Sequence, residues 1–118
     1  MNKFNNKFWE GLDSFITESE IVIDRPKGTA HPKYPDMIYP VDYGYLKGTT
    51  SMDGGGIDIW NGSHPHKNLD TILCIIDRLK KDSEIKILLG CTEQEKNVIY
   101  NFHNDQYMSA LLIQRDYG

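Results

Sequence analysis

Apolar residues recur at helical spacing near the start of the chain. Phe4, Phe8, Trp9, Leu12, Phe15 and Ile16 share one stripe, so residues 3–17 predict an amphipathic helix whose stripe faces a core or a second subunit. Glu20–Asp24 (EIVID) then reads as a short strand rich in β-branched residues, stopped by Pro26 and Gly28. Pro26, Pro32, Pro35 and Pro40 follow. Each lacks an amide donor and fixes φ, so residues 25–42 predict an irregular crossing and not a central strand. Ile57–Asn61 predicts a strand leaving a glycine loop, and Gly62–Asn68 a surface turn. Leu69–Asp77 and Glu84–Leu89 predict two apolar strands joined by a charged hairpin, RLKKDS. Thr92 and Glu95 have the spacing of a capping box, opening a helix that runs to about His103. Leu111–Gln114 predicts a strand closing the sheet. Several strands around a small core, with two helices, place the chain in the α+β class.

Composition narrows the function classes. A chain of 118 residues predicts a single domain, 1–118, with one modest core. Seventeen acids against thirteen bases, a net charge of -4, argue against a footprint for nucleic acid or an anionic membrane surface. No apolar run approaches the ~20 residues of a membrane helix, and MNKFNNKFWEGLD carries no signal-peptide core. The expectation is a soluble, cytoplasmic protein. Cys74 and Cys91 lack a ligand spacing and read as buried thiols, in keeping with a reducing compartment.

The chemistry concentrates between Tyr39 and Trp60, YPVDYGYLKGTTSMDGGGIDIW. Asp53 and Asp58 flank Gly54, Gly55 and Gly56, and glycines free to take positive φ can curl around a small ion. A hard cation such as Mg2+ takes a few carboxylates plus water and substrate phosphate, which two acids on such a loop suit. A solvated hairpin turn has the same composition. His64 and His66 lack a third ligand at a familiar spacing and read as a solvated loop.

YPVDYGY followed by DGGGID resembles the YPANYGF and DGDPLD signature of soluble family I inorganic pyrophosphatases. IVIDRPKGTAHPKY resembles the family's IVIEIPKGSRNKYE, and Asp77 and Asp82 have the spacing of its later aspartate pair. The likeness spans about residues 20 to 90. It implies a small five-stranded, OB-like β-barrel with an N-terminal and a C-terminal helix, and hydrolysis of diphosphate to two phosphates by metal-activated water. Mg2+, or Mn2+ in its stead, would be held by Asp53, Asp58, Asp77, Asp82 and Asp24, the last in place of a glutamate. Lys33, Tyr43, Tyr39 and Lys86 would bind the substrate, with Asp58, Asp53 and Tyr43 as the catalytic residues. The partner implied is a small phosphate compound, and a homo-oligomer is left open.

The departures bear on the chemistry. Gly55 stands where the family has the acid that orients the attacking water. The phosphate-binding arginine falls in a hairpin missing between Tyr34 and Tyr39, and the glutamate after KY is Pro35. Glu84 replaces a lysine, leaving Lys86 as the nearest cation on that strand face. The C-terminal tyrosine and lysine fall at His103 and Asn104, and Asp42 replaces an asparagine. A hydrolase using Asp42, Asp36 or His103 for the lost functions, acting on diphosphate or on another phosphoanhydride or phosphoester, stands against a non-catalytic metal- and phosphate-binding relative.

Overall fold

The structure, a computed structural model, describes residues 3–116, with side chains from residue 5 onward. Eight elements follow in order: α1 (Lys3–Glu18), β1 (Glu20–Arg25), β2 (Asp42–Lys47), β3 (Ile57–Asn61), β4 (Leu69–Asp77), β5 (Asp82–Leu89), α2 (Glu93–Phe102) and β6 (Met108–Gln114). The six strands form one sheet in the order β1-β2-β3-β5-β4-β6. Only the β3–β5 pairing is parallel. The α+β class and both helices agree with the sequence. The sheet, however, is open and not a barrel, and it has a sixth strand, β2, in a stretch for which no strand was predicted. Gly44 explains the missed strand: it lowers strand propensity, yet a Cβ there would lie 1.8 Å from the Val22 carbonyl oxygen. Only glycine lets β1 approach so closely at the point where its register shifts between Ile23 and Arg25.

The two faces of the sheet carry two cores. On one face Tyr43, Trp60, Leu73, Ile75 and Leu88 pack with Tyr39 and Val41 against Ile99 of α2. On the other, Leu46, Ile59, Leu69, Ile72, Ile87 and Leu89 pack against Trp9 and Leu12 of α1. The predicted stripe of α1 therefore faces a core through Trp9, Leu12 and the half-buried Ile16, while Phe8 and Phe15 stay exposed. Phe4 lies outside the described side chains. Arg115 ties the helix to the sheet by donating to both carboxylate oxygens of Asp13, at 3.1 and 3.0 Å, beneath the Trp9 ring. α2 opens on the predicted box: the Thr92 hydroxyl accepts from the Glu95 amide at 3.2 Å, and the Glu95 carboxylate accepts from the Thr92 amide at 2.9 Å. No described helix is long and apolar enough to cross a membrane.

Candidate functional site

Alternation along strands puts Tyr43 of β2, Asp58 of β3, and Glu84 and Lys86 of β5 on the face that also packs α2. Register aligns them, because Tyr43 pairs with Trp60, Tyr45 with Asp58, and Ile59 with Ile87. The Lys86 ammonium donates to the Tyr43 hydroxyl at 2.6 Å and to Asp58 Oδ2 at 2.7 Å, and lies 2.8 Å from Glu84 Oε1. Its side chain is 7% exposed, against 25% for Asp58 and 28% for Glu84. One nearly buried cation thus faces two carboxylates that open toward solvent. Burial, followed by the charge and hydrogen bonding of Asp58, pushes the Tyr43 phenol well above its ordinary value, so it stays protonated and can donate.

The other predicted acids do local work. Asp53 is exposed in its loop, where Oδ1 accepts from the Ser51 hydroxyl and from the Gly55 amide at 2.9 Å. These bonds hold its carboxyl below the usual range. Among the three glycines only Gly54 has positive φ, at 88°. Gly56 is needed for a different reason, since a Cβ there would meet the Leu46 carbonyl oxygen at 2.8 Å. Asp77 and Asp82 face one another at the base of the β4–β5 hairpin, and Asp77 Oδ1 accepts from the Leu79 and Lys80 amides at 3.0 and 3.1 Å, fixing the turn. Asp24 is exposed at the bulge in β1.

Among the expected substrate ligands, Tyr43 and Lys86 come together. Tyr39 lies nearby, buried, its ring centroid 5.2 Å from that of Tyr43. Lys33 is exposed on the proline-rich crossing, its amide donating to His31 Nδ1 at 3.0 Å. Three residues were missed as partners. Arg25 donates to the Tyr39 hydroxyl, and the His31 ring stacks on Tyr39 at 6.2 Å. Partial burial, then Arg25, Lys80 and Lys33, lower the His31 imidazole below its ordinary value, which places these cations around one ring. Glu84 is the third; its two-residue spacing from Lys86 was the available signal.

The candidate substitutes are placed as follows. His103 is buried, its Nε2 accepting from Trp60 Nε1 at 3.1 Å, and burial lowers it to about 3, so it is a neutral part of the core. Asp42 accepts from the Lys27 amide at 2.8 Å, and Asp36 is exposed. Cys74 and Cys91 are free and half-buried.

No group of three or more His, Cys, Asp or Glu side chains is placed to hold a metal ion among the described residues. A site built by protein ligands alone does not fit this arrangement. Mg2+, though, is commonly bound by one or two carboxylates together with substrate phosphate, and Asp58 and Glu84, facing one ammonium, fit that smaller requirement.

The fold has solved counterparts. An inorganic pyrophosphatase from Coxiella burnetii superimposes with a TM-score of 0.61 at 12% identity, over 80% of this chain and 84% of that one. The chain shares its fold. An inorganic phosphatase from Anaplasma phagocytophilum gives 0.59 at 15% identity, over 80% and 83% of the two chains. No family model and no curated protein matches the sequence. At such identities the likeness to the Coxiella pyrophosphatase is one of fold.

Proposed function

We propose that the chain is a Mg2+-dependent hydrolase of a small phosphate compound, with diphosphate the leading substrate. The observation that supports this best is the Lys86 ammonium shared by Tyr43, Asp58 and Glu84 in a pyrophosphatase-like fold. With no anion present, Lys86 neutralises the two carboxylates. An entering phosphate group offers Lys86 and the Tyr43 hydroxyl a more highly charged acceptor, and drawing the ammonium toward it uncovers Asp58 and Glu84. These two, together with the substrate phosphate and water, would hold the ion. Bound Mg2+ supplies charge neutralisation on phosphate and lowers the pKa of a coordinated water. The protonated Tyr43 donates to phosphate oxygen, and Lys33, Arg25 and Lys80 make the approach from the proline-rich crossing cationic.

A second reading, a non-catalytic binder of phosphate compounds, has its own support in the missing acid at Gly55. Phosphate release from diphosphate and a small nucleotide panel, with and without Mg2+ or Mn2+, separates the two. The hydrolase reading expects metal-dependent release that Lys86→Met lowers by about 10²-fold or more, the scale of one electrostatic group at a transferring phosphate. Diphosphate or nucleotide binding by calorimetry, without release under any metal condition, would establish the binder instead.

A further inference from the structure

We infer that this chain forms a two-fold dimer by antiparallel pairing of β6 with β6 of a second copy, merging the two sheets into one. β6 is the last strand on its side of the sheet, and its inner edge is taken by β4. The direction of its peptide groups follows from two bonds. The Arg115 amide reaches inward to the Asp70 carbonyl at 2.7 Å, whereas the Ala110 amide is bonded to the Asn104 side chain at 3.2 Å. Antiparallel ladders alternate residue by residue, so Ser109, Leu111 and Ile113 pair with β4, and Met108, Ala110, Leu112 and Gln114 direct their peptide groups outward.

The first part of this outer edge is already closed, since the Met108 carbonyl accepts from the Asp105 amide at 3.0 Å and the Ala110 amide has Asn104. What remains open among the described residues is the Ala110 carbonyl, both groups of Leu112, and both groups of Gln114. That remainder is self-complementary. A two-fold axis through Leu112 lets each Leu112 amide donate to the Leu112 carbonyl of the second copy, and each Gln114 amide to the Ala110 carbonyl of the second copy. A slip toward the β6 start would meet groups that Asn104 and Asp105 already occupy, so the register is selected.

Side chains argue for the same occupant. β6 is MSALLIQ, seven residues with no charge and no proline, and beyond the part that Asn104 and Asp105 close, its outer edge lacks the devices by which exposed edges avoid pairing. Leu111 is 68% exposed, Ile113 40% and Ile76 of the adjacent strand 51%, on the face that carries α1. The axis sets Leu111 directly across from Ile113 of the second copy. This strip continues into a groove of about 810 Å³ between α1 and the sheet, walled by the exposed Phe8, Phe15 and Ile85. Six half-exposed apolar side chains amount to several hundred Å² per copy. That is the size of contiguous patch that often marks an interaction surface, and it would supply part of the ~800 Å² per partner of a standard interface beside the strand pairing itself.

Sedimentation velocity of the full chain, from about 1 to 200 µM, tests the pairing across the range of ordinary interface affinities. A dimer is expected, with its midpoint shifted at least tenfold upward by Leu111→Lys, which puts a charge on the seam, and unmoved by Val98→Lys on α2. Should Leu111→Lys misfold, Gln114→Pro decides: it deletes an outward amide and keeps the backbone ladder to β4, losing there the Thr71 hydroxyl bond to Gln114 Oε1 at 3.2 Å, and the same shift is expected. A monomer throughout the range overturns the inference. So does a dimer whose midpoint is unchanged in the folded seam variant.

Discussion

His103 shows at one residue how a site expectation and a core fact divide. Its Nε2 accepts from Trp60, so the proton of the neutral ring sits on Nδ1, facing the Met108 sulfur at 3.4 Å. Its folded value, about 3, lies below the ordinary 6.5. The unfolded chain therefore binds the extra proton first, and the stability this residue contributes is complete above pH 6.5 and lost as pH falls toward 3. The expected slope is about 1.4 kcal/mol per pH unit inside that window. Urea titrations at several pH values read it directly, and His103→Gln, which keeps an acceptor for Trp60, should remove that part of the slope. A slope identical in the variant would mean another group carries it. Gly55 is the complementary case. Its φ is not positive, and an added Cβ meets only Asp53 Oδ1, at 3.3 Å. Gly55→Asp should consequently fold. If a missing base limits the reaction, diphosphate turnover should rise, by up to ~10²–10⁴-fold for a well-placed one. A folded variant with no gain would count against diphosphate. Tyr43 and Lys86 were legible as residues from motif and strand parity. The Arg25–Tyr39–His31 stack was not, because it joins positions brought together only by the fold of the proline-rich crossing.

At the scale of elements, signals confined to a few neighbouring residues were readable and those requiring a partner strand were not. The Thr92–Glu95 box was visible as a spacing and is present as two reciprocal bonds. Thr92→Ala should cost about 1 kcal/mol in chemical denaturation, the usual value for a capping side chain. An unchanged midpoint would show that Glu95, also held by the Ser63 amide, fixes the helix start alone. β2 was invisible for the opposite reason. It is buried on both faces, so DYGYLK shows no alternation, and Gly44 reads locally as a breaker although the approach of Val22 is what demands it. β5 begins at Asp82, not Glu84, and β6 at Met108, not Leu111, since ladder pairing with β4 carries each strand past its apolar run.

For the whole molecule, the balance of charge at the sheet centre governs how ligands affect stability. Clustered acids without a cation would make the fold strongly dependent on metal, but Lys86 already neutralises Asp58 and Glu84. Mg2+ alone should shift the melting temperature little. Mg2+ together with a non-hydrolysable diphosphate analogue should stabilise by about 2.7 kcal/mol at a hundredfold excess over the dissociation constant. Differential scanning fluorimetry with each component alone and with both makes the comparison, and equal shifts from metal alone and from the pair would contradict the exchange of Lys86 between carboxylate and phosphate. The α+β class was legible because it depends on counting elements. The open order of the sheet was not, because it depends on which strands meet.

The bond between Asp13 and Arg115 spans 102 positions of sequence. At ~5–20 residues per second of synthesis, the first helix waits on the order of 5–20 s for the residue that clamps it. Through that interval Trp9 and Leu12 have no completed sheet to cover them. A nascent chain of this topology thus presents an apolar helix well before its binding surface exists, and among the described elements that helix is the one left longest open to chaperones or to neighbouring polysomes.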